Sequence, residues 1–409
     1  MNITTNSGNT YSYNRRTNEI VSGMVEEQGY KWNFAPLSVF SALPEVYMFI
    51  ISITEQCNLR CSYCCYSGSY EHNRSHSQNA MERYDIDDIY DFILRISTKR
   101  PLRIAFYGGE PLLQYPLIQY AIQRGNELLG DEVAFSVTSN GTLLTPERID
   151  GLMAQHVEMV ISLDGTKAFH DKHRTFADGC GSFDKVHEAL SYIVEKYPQG
   201  PNHVSLQMTL PTYREIDKVA EEWHHDPLLR SFAPSNIHGL AANFVKGVGR
   251  ADYEDIRSLY EHLLDVYEQH QDWAVLRVLF EECISDWKER PIVAAGNSVP
   301  MATCMPVNTK LYIDANKEIG VCEKMADEFR IGNIAEGIDW RKANALVRSY
   351  YDRRIERCKN CPAVRMCDMC LTAMEYTEEQ WNVLCHNVKV YVRVFMYVFC
   401  EMAERGLIK

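Results

Sequence analysis

The sequence predicts an α/β fold: a parallel sheet built from repeated strand–helix–strand units, with a cysteine-rich C-terminal domain behind it. Three observations predict it. Between residue 49 and about 245, six short apolar runs alternate with longer stretches of helical spacing, which is the pattern of βαβ units. The 14 cysteines fall into two groups, four within Cys57–Cys65 and seven within Cys304–Cys385, with Cys180, Cys283 and Cys400 apart. A Pro/Gly/Ser-bearing break, PIVAAGNSVP, separates the two regions.

Residues 1–48 are polar and hold one hairpin-like stretch, YSYN–RRTNE–IVSGM, but no complete domain. The core is expected over 49–250. MFIISIT (48–54) reads as its first strand. Residues 85–98 carry an acidic first turn and apolar spacing of about 3.6 residues, hence a helix. RIAFYG (103–108) is a strand and 115–129 a helix. VAFSVTS (133–139) is a strand, and 145–154 a helix opening on Thr145-Pro146, a cap followed by a first-turn proline. VEMVISLD (157–164) is a strand and 182–197 a helix capped by Ser182. VSLQMTL (204–210) and IHGLAANFV (237–245) complete the set. Residues 251–300 read as a helical linker, and 301–409 as the cysteine-rich domain ending in a long helix. The most apolar stretch, Val388 to Met402, is interrupted by Lys389 and Arg393. It is shorter than the roughly 20 residues of a membrane span, so a packed helix is expected.

With 409 residues, 46% hydrophobic and 24% charged, the composition is that of a soluble globular protein. The net charge of -13 argues against nucleic acid and anionic membranes as partners, since both select basic patches. The N-terminus, MNITTNSGNTYSYNRR, has no apolar signal core, so a cytoplasmic location is expected. Thiols stay reduced there, and clustered cysteines read as metal ligands rather than disulfides.

The strand ending at Thr54 runs into Glu55-Gln56-Cys57-Asn58-Leu59-Arg60-Cys61-Ser62-Tyr63-Cys64. Three thiolates with gaps of three and two residues can wrap one face of a cubane iron–sulfur cluster and leave one iron open for chemistry. The plain alternative is a zinc knuckle with Cys65 as fourth ligand. It is weakened because successive side chains diverge. The spacing, with the aromatic Tyr63 before the third cysteine, resembles the CxxxCxxC motif of the radical S-adenosylmethionine (radical SAM) superfamily.

That resemblance implies a partial (β/α)6 TIM-like barrel whose [4Fe-4S] cluster, on Cys57, Cys61 and Cys64, binds SAM at its open iron. An electron then cleaves SAM to methionine and a 5′-deoxyadenosyl radical, which abstracts a substrate hydrogen. Tyr107-Gly108-Gly109-Glu110-Pro111 matches the family's GGEP motif. Gly108 and Gly109 allow close backbone approach, and Glu110 is implied near the methionyl amine. Ser139 and Asn140, after the third strand, suit the ribose hydroxyls. Ser162, after the fourth, is implied near the ribose, and Arg174 near the SAM carboxylate. Each could be an ordinary turn. Together they stand in family order at strand ends, where parallel sheets place their chemistry.

Cys358-x2-Cys361-x5-Cys367-x2-Cys370 is compact enough to ligate metal. With Cys304, Cys322 and Cys385 it resembles the SPASM domain, which carries auxiliary [4Fe-4S] clusters in radical SAM enzymes that modify peptides and proteins. The family's ligand order gives Cys304, Cys322 and Cys370 to a first auxiliary cluster and Cys358, Cys361, Cys367 and Cys385 to a second. Cys283 is a candidate fourth ligand of the first; the plainer reading is a buried helical cysteine. Two departures bear on the pairing: only Asp368 and Met369 separate the last two clustered cysteines, and Gly320 lies two before Cys322.

The implied function is a peptide maturase that installs a cross-link or other oxidative change in a ribosomally made precursor peptide. The rival is an anaerobic sulfatase maturase forming formylglycine from Cys or Ser. A zinc-binding scaffold without activity is the third reading, which the SAM motifs disfavour. Glu323 follows Cys322 where such maturases carry a carboxylate base, although aspartate is usual there. Burial and a neighbouring anionic cluster are expected to raise its pKa. Expected partners are the precursor peptide or protein, an external electron donor such as flavodoxin or ferredoxin, and a separate leader-binding protein. Residues 1–48 are shorter than the usual leader-binding domain, so leader recognition is expected to be either partial in this chain or supplied by that other protein.

Overall fold

The computed structural model describes residues 1–25, 46–64, 66–67, 75–97, 99–239, 249–292 and 307–408. Cys65, Cys304, most of the PIVAAGNSVP break and residues 240–245 of the expected sixth strand lie outside the described residues.

Strands β1 (Asn2–Thr4), β2 (Thr10–Asn14) and β3 (Glu19–Ser22) form a small antiparallel sheet. The expected hairpin is β2–β3, and β1 adds a third strand. Its turn places Asn18 at φ 67°, a left-handed position that Asn tolerates, and Asn18 accepts the Tyr13 hydroxyl at 2.6 Å.

The chain then alternates as the sequence predicts: β4 (Met48–Thr54), α1 (Arg83–Ile96), β5 (Leu102–Gly108), α2 (Tyr115–Leu129), β6 (Val133–Ser139), α3 (Pro146–Ala154), β7 (Glu158–Ser162), α4 (Lys167–His173), α5 (Phe183–Lys196), β8 (Val204–Leu210), α6 (Ile216–His225) and β9 (Pro234–Gly239). Strands β4 to β9 are adjacent in sequence order and all parallel. The sixth strand begins at Pro234, three residues before its expected start. Thr145 caps α3 as expected, accepting from Arg148 N at 3.4 Å. Ser182 precedes α5 without capping it; its hydroxyl is spent on the Arg174 carbonyl at 2.7 Å.

The two faces of this sheet differ. Phe135, Val137, Met159, Ile161, Leu206 and Met208 are buried in the main core with the helices. The alternate residues Ser136, Thr138, Val160, Ser162, Gln207 and Thr209 are only half-buried. Side chains alternate across a strand, so these line the opposite face. A parallel sheet covered on both faces reads apolar throughout. Over β6–β8 this face is half-buried and mostly polar, whereas across β10, β4 and β5 the same face buries Tyr312, Ile50 and Ala105.

Beyond the sheet come α7 (Tyr253–Gln269), α8 (Ala274–Glu289), β10 (Lys310–Ile313), β11 (Glu318–Gly320), β12 (Gly332–Asn333), β13 (Gly337–Ile338), α9 (Trp340–Cys358) and α10 (Glu378–Glu404). Strand β10 pairs in parallel with β4, from Lys310 opposite Met48 to Ile313 opposite Ile51. The cysteine-rich region therefore extends the core sheet to ten strands, in the order β13-β12-β11-β10-β4-β5-β6-β7-β8-β9. Helix α10 is long and apolar enough by length and composition to cross a membrane. Its buried residues include Val390, Val394, Met396 and Val398, and it packs on α7, α8 and β1.

Candidate active site

The cysteine loop leaves the carboxyl end of β4 and is clamped on two sides. On the first side, Gly109 N donates to Thr54 O at 2.8 Å and Glu110 N to Gln56 O at 2.7 Å. A Cβ at Gly109 would stand 2.1 Å from Gln56 O, and one at Gly108, where φ is 131°, 2.1 Å from Thr54 O. The two glycines thus admit the chain's own backbone just before Cys57. The buried Glu110 carboxylate accepts from Ser139 Oγ at 2.8 Å, Asn140 N at 2.7 Å and Leu112 N at 3.0 Å. It ties the end of β5 to the end of β6. Burial lifts its carboxyl to about 7 against these donors and the nearby Arg148. Asn140 carries the connection onward: its Nδ2 donates to Asn58 Oδ1 at 2.9 Å and lies 3.9 Å from Cys57 Sγ.

On the second side, Arg60 N donates to Thr175 O at 2.7 Å and Ser62 N to His173 O at 3.0 Å. Asp164, just past β7, gathers three segments. Its Oδ2 accepts from the Tyr63 hydroxyl and, at 2.7 Å, from Arg174 Nε, while Oδ1 accepts Thr209 N at 2.9 Å. The Arg174 guanidinium lies 5.4 Å from the Tyr63 ring centroid. Buried His170 braces this group. Asp164 N donates to its Nδ1 at 3.3 Å, and its Nε2 is 2.9 Å from Ser182 Oγ. That hydroxyl gives its one proton to the Arg174 carbonyl, so the His170 proton sits on Nε2. Burial pushes His170 down to about 4. Asp164, His170 and Ser182 are site residues that sequence reasoning did not single out as such: Asp164 reads only as the end of the strand VEMVISLD and Ser182 only as a helix cap. Ser162 is the last residue of β7, half-buried on the open face.

The donor set fits an iron–sulfur cluster. Cys57 Sγ accepts Leu59 N and Cys64 Sγ accepts Tyr66 N, each at 3.4 Å. Cys57 lies in the field of Cys61 and Cys64, and Cys61 in that of Arg174. Burial pushes the Cys57 thiol to about 12 and the Cys61 thiol to about 11. Thiols so desolvated become thiolate when a metal takes the charge. Among the described residues no three His, Cys, Asp or Glu groups converge on a single-ion site.

In the C-terminal region, Cys358, Cys361, Cys367 and Cys385 line one cavity of about 370 Å³ together with Arg354 and Trp381. Burial raises the thiols of Cys361, Cys367 and Cys385. Cys322 follows β11; its Sγ accepts Lys324 N at 3.4 Å, and burial pushes it to about 12. Cys370 is exposed, 2.8 Å from Thr372 Oγ1. Cys283 is packed in the core of α8 beside Tyr260. Because β11 runs antiparallel to β10, Cys322 and Glu323 lie toward the amino end of β4. Six residues of strand, about 20 Å, separate that level from the cysteine loop. The expectation that Glu323 has a raised pKa is corrected. Burial does raise it, but Lys310 at 3.6 Å, a backbone N–H, Lys324 and Cys322 outweigh burial and hold the carboxyl below its usual range.

Residues 51–222 match the radical SAM superfamily model. This chain carries a radical SAM domain. Over 337 residues it is 25% identical to the cysteine-type anaerobic sulfatase-maturating enzyme of Clostridium novyi (strain NT), covering 78% of this chain and 86% of that protein. In fold it is similar to native anSMEcpe with bound AdoMet, at a TM-score of 0.67 and 18% identity, covering 88% of this chain and all of the other. It is also similar to Streptococcus suis SuiB bound to precursor peptide SuiA, at a TM-score of 0.52 and 15% identity, over 82% of this chain and 74% of that one. The radical SAM domain thus spans β4 to α6, and the cysteine loop sits at its carboxyl-end face.

Proposed function

We propose that this radical SAM enzyme modifies a side chain of a polypeptide, and that its substrate is a ribosomally made precursor peptide. The observation that carries the reading is the open polar face of β6–β8, in the same sheet as β4, whose carboxyl end carries the cysteine loop. A peptide segment on that face has hydrogen-bonding side chains along its length. When bound, the cluster and AdoMet supply a radical able to take a hydrogen atom. The chain's own residues do the rest. Asn140 and Asn58 hold Cys57, and the Asp164–Arg174–Tyr63 group fixes the wall beside Cys61. We assign Cys358, Cys361, Cys367 and Cys385 to one auxiliary cluster and Cys304, Cys322 and Cys370 to another. A substrate radical must lose one electron and one proton to form a new bond. An auxiliary cluster can take the electron. Glu323, about 20 Å from the cysteine loop along the strand, receives the proton through a relay rather than by direct contact with the radical carbon. Electrons reach the enzyme from a flavodoxin or ferredoxin in a reducing, cytoplasmic setting, and a separate protein presents the leader. The precursor-bound SuiB relative supports a peptide substrate.

The second reading is formylglycine formation on a sulfatase, favoured by the long match to the Clostridium novyi maturase. The test is anaerobic incubation with AdoMet, reductant and two kinds of substrate: peptides from short open reading frames found by sequencing around this gene, and a cysteine-bearing sulfatase peptide. Mass loss on a neighbouring peptide, with the sulfatase peptide untouched, supports the proposal. Formylglycine on the sulfatase peptide replaces it.

A further inference from the structure

Tyr350, Arg354 and Cys358 follow at four-residue spacing on α9, so they share one helix face. Arg354 is 2% exposed and lines the cavity of Cys358, Cys361, Cys367 and Cys385. Its Nη1 donates to the Tyr350 hydroxyl at 3.0 Å and reaches the Met369 carbonyl at 3.5 Å. Its Nη2 is buried and has no hydrogen-bond partner. The guanidinium acts on Tyr350, Cys367 and Cys358 through its charge and also hydrogen-bonds the Cys358 side chain. Arg353 stacks on the Trp381 ring at 4.6 Å, outside the cavity lining. Arg357, 5.4 Å from that ring, also lines the cavity and acts on Cys385. Both of these arginines pair with Glu378, whereas Arg354 has no carboxylate partner among the described residues. A buried charged donor left bare is expensive, so Nη2 marks an acceptor that belongs in this cavity.

We propose that Arg354 is a positioning residue for the iron–sulfur cluster of that cavity, and that its fixed charge and unspent N–H set the cluster's reduction potential. The proposal rests on the assignment of the four cysteines as ligands. One-electron reduction adds a negative charge to a group already ringed by four thiolates. A permanent cation in contact with those thiolates favours the reduced form, as do hydrogen bonds to sulfur. Arginine holds its proton at any working pH, so no proton moves with the electron. The electron comes from the external reductant.

The experiment uses the full chain with Cys57, Cys61 and Cys64 replaced by Ala, so that C-terminal clusters alone are read. Arg354→Met, Arg354→Gln and Arg354→Lys are compared by iron and sulfide content and by a dithionite titration followed by electron paramagnetic resonance. At a fixed potential, the Met and Gln variants should show about a tenfold lower ratio of reduced to oxidised cluster, about 59 mV for one electron, and the Lys variant a ratio near the parent's. Loss of this cluster's iron from both neutral variants, with the Lys variant loaded and at the parent ratio, supports the same charge requirement. A fully loaded Met or Gln variant at the parent ratio overturns the proposal. Cys361→Ala separates the underlying assignment: if it keeps all of its iron, the ligand set is wrong whatever Arg354 does.

Discussion

Arg174 Nε donates to Asp164 Oδ2 at 2.7 Å, and both side chains are buried. The same carboxylate holds Tyr63 from the cysteine loop and Thr209 from β8. One acid therefore fixes the loop against two strands of the sheet.

Removing that acid leaves Arg174 buried without its counter-charge. Asp164→Ala should destabilise the fold by about 3–5 kcal/mol, the scale of a broken buried ion pair. Asp164→Asn, which keeps the shape and part of the bonding, should lose less. Denaturant melts of the two variants check the order.

His170 makes the same region sensitive to acid. Its pKa falls from 6.5 unfolded to about 4 folded, so the unfolded chain binds the proton first. The stability it supports is present above pH 6.5 and is lost as pH falls through 4. The gap, at about 1.4 kcal/mol per pH unit, amounts to about 3 kcal/mol. His170→Gln cannot titrate, so its melting temperature should fall less steeply than the parent's between pH 6.5 and 4. Parallel slopes would show that other groups carry the acid response.

Gly109→Ala should break the cysteine loop from the other side. The new Cβ would stand 2.1 Å from Gln56 O, a backbone atom that cannot swing away. The variant should lose about four iron atoms, one cubane. Gly249→Ala, where a Cβ meets nothing within 4 Å, is the matched control and should keep its iron.

Glu323→Gln keeps the side-chain shape and removes the proposed proton acceptor. SAM cleavage should persist while modified peptide falls by about 10²-fold or more, the scale of a lost general base. Undiminished product by mass spectrometry would remove Glu323 from the mechanism.

Much of the core is legible in the order of its residues alone. Each of the six strands carries an apolar run bounded by turn residues, and the spacing of Cys57, Cys61 and Cys64 is a property of the chain itself. Two helices escape such a reading for physical reasons. Helix α4 buries only His170 and has no apolar stripe. Helix α6 does bury Ile216, Val219, Ala220 and Trp223 at helical spacing, but over only ten residues, too few to stand out. Pairing between distant segments is invisible locally: nothing in residues 310–313 announces a partner at 48–51. The same holds for Asp164, whose partners come from three other parts of the chain. Glu110 reads as a ligand-facing carboxylate, yet burial and three internal donors, a matter of packing, decide what it touches.

The central claim is that Cys57, Cys61 and Cys64 hold the cluster that activates SAM. It is tested most directly by replacing all three with Ala and measuring iron alongside 5′-deoxyadenosine release under anaerobic reduction. The account predicts loss of about four iron atoms, retention of iron at the C-terminal cysteines, and no 5′-deoxyadenosine. Release of 5′-deoxyadenosine by the triple variant would contradict it.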